Sequence, residues 1–95
     1  MVKHIVFFKL KNRDAKAAEE LREKLLSLKN EIDLIRDIEV GINFKESERA
    51  YDLALITTFD DEAALQRYAT HPYHLEVIDY IKTVVSDSKV VDFKY

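Results

Sequence analysis

The chain has no cysteine and no tryptophan, and only one glycine and one proline among its 95 residues. Without cysteine there are no disulfides, no thiolate nucleophile and no zinc site of the Cys type. The same absence fits a reducing compartment, and the cytoplasm is the expected location. No apolar run approaches membrane-spanning length. The start, Met1-Val-Lys-His4-Ile-Val-Phe-Phe8-Lys, alternates with lysines and lacks a small-residue cleavage site, so it reads as a strand and not as a secretory leader. No basic cluster stands out either. Lys3, Lys9, Lys11 and Arg13 spread along and beyond one strand without the aromatic interleaving of a nucleic-acid surface. Neither nucleic acid nor membrane is expected as a partner. No internal repeat or low-complexity segment is present.

What is present is a balanced, charge-rich composition: 47% hydrophobic, 35% charged, net charge −3. That describes a globular chain of one domain spanning residues 1–95, with a modest core and a thin stability margin.

Hydrophobic periodicity places the elements. From Val2 to Leu10 both faces of the run are apolar in the middle, as in a central strand covered on both sides. Asn12-Arg13-Asp14 supplies a turn and a helix cap. Leu21, Leu25, Leu28, Ile32 and Ile35 then form a core-facing helical stripe, with Glu20 and Lys24 as an i,i+4 pair on the other side. Ile38–Phe44 alternates as a half-buried strand in which Gly41 marks a bulge or a close backbone approach. Lys45–Ala50 is a polar turn and Tyr51–Phe59 a third strand. Asp60-Asp61-Glu62 opens a helix carrying Ala64, Leu65 and Tyr68, which ends before Pro72. A second helix runs from Pro72 to Val84, with Leu75, Ile78 and Ile81 or Lys82 at helical spacing. Ser86-Asp87-Ser88 reads as a turn and Val90–Tyr95 as the last strand. The order β, α, β, β, α(α), β predicts an α+β fold of the ferredoxin-like, split-βαβ type: a four-stranded antiparallel sheet with helices on one face.

Two helical regions cover only one face of such a sheet. The other face is apolar as well, through Ile5 and Phe7 on the first strand and residues of both parities on the third. An open apolar face of that size meets a partner, and the simplest is a second copy in an isologous contact. A homodimer is therefore expected.

The densest chemistry lies in Tyr68-Ala-Thr-His71-Pro72-Tyr73-His74, with two of the three histidines and the only proline. Proline favours the first position of a helix. That places His71 at the cap and His74 in the first turn, where the helix dipole opposes an imidazolium and leaves a neutral base. Tyr73 is expected in a surface groove or at a dimer rim. His4 shares a strand face with Val6 and Phe8. If that face looks toward the helices, His4, Tyr68 and His74 converge at one end of the helix–sheet core. A histidine and a tyrosine in an apolar cleft move a proton from an acidic carbon and hydrogen-bond the resulting enolate oxygen, without metal or cofactor. The plainer alternatives are a packed turn at His71, a core tyrosine at Tyr68 and a backbone-bonded histidine at His4. A His-x-x-His zinc site is disfavoured, because Pro72 interrupts the helix and no third ligand is evident beyond His4 or a distant carboxylate.

The chain resembles the stress-responsive dimeric α+β-barrel (Dabb) family over nearly its whole length. The resemblance rests on Val2-Lys3-His4-Ile5-Val6-Phe7-Phe8-Lys9, Gly41-Ile42-Asn43-Phe44, Tyr51-Asp52 and Phe59-Asp60-Asp61-Glu62-Ala63-Ala64-Leu65. It continues through Tyr68-Ala-Thr-His71-Pro72-Tyr73-His74 and Val90-Val91-Asp92-Phe93, with His-Pro-x-His the most specific element. It implies a ferredoxin-like protomer whose sheets pair face to face into a barrel. Most members of the family have no known function. One, olivetolic acid cyclase, folds a linear polyketide into an aromatic ring without a cofactor, and the same barrel serves cofactor-independent quinone-forming monooxygenases. By that resemblance the catalytic groups fall on His4, Tyr68 and His74. Two readings follow: a cofactor-free enzyme acting on an apolar, carbonyl-bearing substrate, or a non-catalytic dimeric domain that binds a small ligand or serves a stress-associated role.

Overall fold

The computed structural model describes residues 1–95. The elements are β1 (Val2–Leu10), α1 (Ala15–Glu31), β2 (Asp37–Ile42), β3 (Leu53–Phe59), α2 (Glu62–Ala69), α3 (Pro72–Val84) and β4 (Val85–Lys94). The strands form one antiparallel sheet in the order β2-β3-β1-β4, so the N-terminal strand is central and β4 is an edge. This is the ferredoxin-like architecture expected from the element order.

Each helix starts where a side chain replaces a missing backbone partner. The Ala17 N–H donates to Asp14 Oδ1 at 2.7 Å, and the Ala64 N–H to Asp61 Oδ1 at 2.8 Å. Such caps stabilise a helix start by about 1 kcal/mol. The α1 stripe is buried as expected. Leu21, Leu25 and Leu28 lie within the helix, while Ile32 caps it and Ile35 follows in the turn, both still in the core. Against them pack the inward residues of the sheet, among them Phe8, Leu53, Leu55 and Phe59. Beyond the helix, Lys24 lies over the Tyr73 ring at 5.8 Å, and its expected pair with Glu20 does not form.

Several boundaries differ from the sequence reading. Ser86-Asp87-Ser88 is not a turn: α3 passes directly into β4, which pairs with β1 from Leu10↔Val85 to Val2↔Lys94. On an edge strand the ladder to one neighbour outweighs the turn preference of Ser and Asp, and a register irregularity at Lys9/Leu10 absorbs the entry. β2 ends at Ile42 and β3 begins at Leu53, both shorter than expected. Asp52 is instead a tie: its carboxylate accepts the Leu10 N–H at 2.8 Å and Arg13 Nε at 3.0 Å. Gly41 marks neither bulge nor close approach, since the β2–β3 register is unbroken and a Cβ there would meet nothing within 4 Å. On α3 the inward residue is Val77, whereas Leu75 points to solvent.

All three helices cover the face that carries His4, Val6 and Phe8. The opposite face, uncovered within one chain, is laid out by the pairing register. Its central row is Glu39, Ile56, Ile5 and Val91; the next is Gly41, Ala54, Phe7 and Lys89. Phe7 is 44% exposed, Val91 60% and Phe93 42%.

Leu21 is fully buried beneath α1. Truncating it leaves a cavity as well as losing transfer energy, so Leu21→Ala should lower unfolding stability by about 2–5 kcal/mol in urea titration. A loss well under 1 kcal/mol would mean that α1 does not anchor the core.

Candidate functional site

β1, α2 and α3 bring His4, Tyr68 and His74 to one end of a cleft between sheet and helices. The cleft has a volume of about 270 Å³ and is walled mainly by apolar side chains, including Val6, Leu55 and Val77. Its side along β4 is open, because Val90 and Ser88 line it while remaining exposed. The rings form a continuous cluster: His4 to Tyr68 is 6.1 Å edge-on, and Tyr68 to His74 is 4.3 Å between centroids with the planes tilted by 46°. Phe59 supports the Tyr68 ring from below at 4.9 Å.

Each group has a defined proton arrangement. His74 sits in the first turn of α3 and its Nδ1–H donates to the Ala69 carbonyl at 3.0 Å. A carbonyl only accepts, so the neutral ring keeps its lone pair on Nε2. Burial pushes the His74 imidazole below its ordinary value. The Ala69 bond opposes that shift, while the charges of His4 and His71 add to it. The downward direction matches the expectation from the sequence, which rested on the helix dipole, and burial accounts for it in the structure. Tyr68 is buried and burial pushes its phenol well above the ordinary range, so it stays protonated. No protein group satisfies its hydroxyl, yet no fully buried side-chain polar atom lacks a partner, so the hydroxyl must retain access to the cleft. The plain core role considered for Tyr68 accounts for its ring but not for its oxygen.

His4 joins the cleft as expected but is not bonded to a backbone carbonyl, the plainer alternative for it. Its Nδ1 donates to the carboxylate of Asp92, the residue directly opposite on β4. The backbone carbonyl of His4 is taken up instead by Thr57 Oγ1 at 3.3 Å. Asp92 is the functional candidate that sequence reasoning missed. The signal existed in the final strand, but nothing showed that Asp92 stands beside His4 until the β1–β4 register was known.

His71 lies outside the cluster of three rings. Its Nδ1 accepts the Tyr73 N–H at 3.1 Å, with Pro72 at the first helical position, so it caps α3 as expected. Tyr73 packs across α1, its hydroxyl 2.7 Å from Ser27 Oγ. No three groups of metal-ligating type come together anywhere in the chain.

With this geometry in place, comparison with known proteins is informative. The family described as the stress responsive A/B barrel domain matches residues 2–95, and the chain belongs to it. An uncharacterized protein of Streptomyces coelicolor is 35% identical over 79 residues, covering 78% of this chain and 79% of that protein. A dimeric ferredoxin-like protein of unknown function from Bacteroides fragilis superposes with a TM-score of 0.85 at 31% identity, covering 99% and 95% of the two chains. A hydroxynitrile lyase from Passiflora edulis shares the fold with a TM-score of 0.84 at 18% identity, covering 97% of this chain and 90% of its own.

Because burial holds His74 below its ordinary value of 6.5, its ring NMR titration should have a midpoint lower than that of an unstructured histidine. The unfolded chain then takes up the proton first as the pH falls. Stability contributed by neutral His74 is complete above 6.5 and is lost as the pH drops toward the depressed folded value. A midpoint at or above the unstructured value would remove His74 as a neutral base.

Proposed function

We propose that this member of the stress responsive A/B barrel family is a homodimer that acts as a cofactor-free enzyme, transferring a proton at a carbon next to a carbonyl in a small apolar substrate. The observation that carries this reading is the meeting of a neutral histidine base with an unsatisfied tyrosine hydroxyl in an apolar cleft. His74 Nε2 takes the proton as the C–H bond breaks, and the electron pair moves to the carbonyl oxygen. Tyr68, too reluctant to ionise, donates a hydrogen bond to that developing oxyanion. Asp92 holds the His4 ring through Nδ1, leaving Nε2 to exchange a proton with a substrate oxygen. In a substrate with a second carbonyl placed to close a ring, the enolate carbon attacks it, the C=O π bond opens to an alkoxide, and the alkoxide takes back the proton held on His74 Nε2. His4, Tyr68 and His74 are the catalytic groups of this proposal, and Asp92 is the positioning one.

Two features support the pairing of chains through the open sheet face. That face is apolar across its middle, and the Bacteroides protein that shares this fold is dimeric. The hydroxynitrile lyase adds only that the same fold supports an enzyme. A non-catalytic ligand binder would use the same cleft, and the cleft's opening along β4 suits either role.

The test is hydrogen–deuterium exchange at the central carbon of linear alkyl 1,3-diketones, followed by NMR, together with thermal shift on the same panel. The wild-type protein should accelerate exchange. His74→Ala should lose about 10²-fold or more, the usual contribution of a positioned base, and Tyr68→Phe should lose rate while still being stabilised by the ligand. Stabilisation without exchange would establish the binder. Neither effect across the panel would overturn both readings of the cleft for this ligand class.

A further inference from the structure

Ser88 on β4 is a polar side chain of the cleft that the proposed proton transfer leaves unused. Apart from it and the three rings His4, Tyr68 and His74, the wall is aliphatic or phenyl, with no lysine or arginine. Ser88 stands opposite Phe8, on the sheet face that carries His4 and Val6. Its neighbour Lys89 pairs with Phe7 and alternates to the other face. Ser27 and Ser86 donate their hydroxyls to the carbonyls of Lys24 and Lys9, whereas Ser88 Oγ has no hydrogen bond within the chain.

Two measures put Ser88 at the end of the cleft farthest from the rings. Along β1 and β4, the His4–Asp92 row and the Phe8–Ser88 row are separated by four residues, roughly 13–14 Å at the rise of a strand. Helix α3 runs beside the same stretch. Its start lies by His4 through the ring cluster, and its end lies by Lys11, whose N–H donates to the Val84 carbonyl at 2.9 Å. From His74 to Ile81, both on the wall, the helix rises about 10 Å. Between the two ends stand Val6, Leu55, Val77, Ile78 and Val90. The cleft is therefore polar at both ends and apolar along its middle.

Resting on the reading that this cleft holds the carbonyl-bearing substrate, we infer that Ser88 determines specificity: its hydroxyl binds a neutral hydroxyl at the end of the substrate chain away from the reacting carbonyl. A methyl end brought against Ser88 strips water from the serine and returns no bond, whereas a hydroxyl end replaces what is lost. A carboxylate end gives up far more hydration, and no cation on the wall offsets that cost. Hydrogen bonds of about 3 Å at each end leave roughly 4–8 Å of chain, and an extended chain advances about 1.2 Å per bond. The hydroxyl then sits about four to six bonds from the nearer carbonyl carbon.

The test measures Kd by isothermal titration calorimetry on the full chain. The probes are linear 1,3-diketones of increasing length, each made with a methyl, a hydroxyl or a carboxylate end. At spacings of about four to six bonds the hydroxyl member should bind roughly threefold to tenfold more tightly than its methyl partner, and the advantage should fade at shorter and longer spacings. Ser88→Ala should bring that ratio to about one, and Ser88→Thr, which keeps the hydroxyl and suits a strand, should retain most of it. Both changes lie on an exposed edge strand, and circular dichroism checks that each variant folds. A wild-type chain with no length-dependent preference for the hydroxyl overturns the assignment and leaves the cleft as a binding site. So does an unchanged preference in Ser88→Ala, or a carboxylate end that binds more tightly than the hydroxyl. Binding by no member of the series would instead remove the reading of the cleft itself.

Discussion

Everything in this molecule depends on the pleat of β1. As the central strand it sends His4, Val6 and Phe8 to the helices and Lys3, Ile5 and Phe7 to the open face. Both sets are largely apolar, so both faces gain by leaving water, but the helices of one chain cover only one. Because side chains alternate with a period of two, a slip of one residue would exchange the two sets. It would carry His4 out of the cleft and put Phe7 in its place. The register with β3 and β4 is thus a constraint on chemistry and on association together.

The cleft shows how one environment holds two titratable groups in opposite hydrogen-bonding states. Desolvation disfavours whichever form is charged. Applied to the Tyr68 phenol it protects the proton, and applied to the His74 imidazole it removes one. The same apolar walls therefore leave a donor and an acceptor side by side. His4 is positioned by a different contact, its Nδ1 held by the exposed carboxylate of Asp92 on β4. Helix α3 adds the geometry. Pro72 and the His71 cap fix where the helix starts, and the start fixes which way His74 points.

Much of this was legible in the sequence. Periodicity placed every strand and helix, and the α1 stripe from Leu21 to Ile35 was read correctly because helical spacing and burial agree along its length. The separation of His71 from His74 followed from proline chemistry alone. What failed was local preference set against long-range pairing. Ser86-Asp87-Ser88 has the composition of a turn, and only the β1 ladder explains why it is extended. Gly41 carries no conformational demand of its own. Leu75 fits a helical stripe that in fact runs through His74, Val77, Ile78 and Ile81, since a periodic pattern does not reveal which neighbouring face is polar for chemical reasons. Asp92 was invisible for the deepest reason: its partner is the strand from the other end of the chain, and alternation cannot specify that register.

The two faces of the sheet are also mechanically joined. β1 and β4 carry the His4–Asp92 pair on the cleft side and, one residue along, Ile5 and Val91 on the open side. β4 is an edge strand with exposed side chains over most of its length, held chiefly by its ladder to β1. Such an edge is the part of the sheet freest to fray. A second sheet stacked over Val91 and Phe93 would bury that edge and hold β4 in register, and with it the carboxylate that orients His4. Dimerisation and order at the cleft are then not separate properties. In the proposed dimer, residues on one side of the pleat would steady the strand whose other side places Asp92 beside His4.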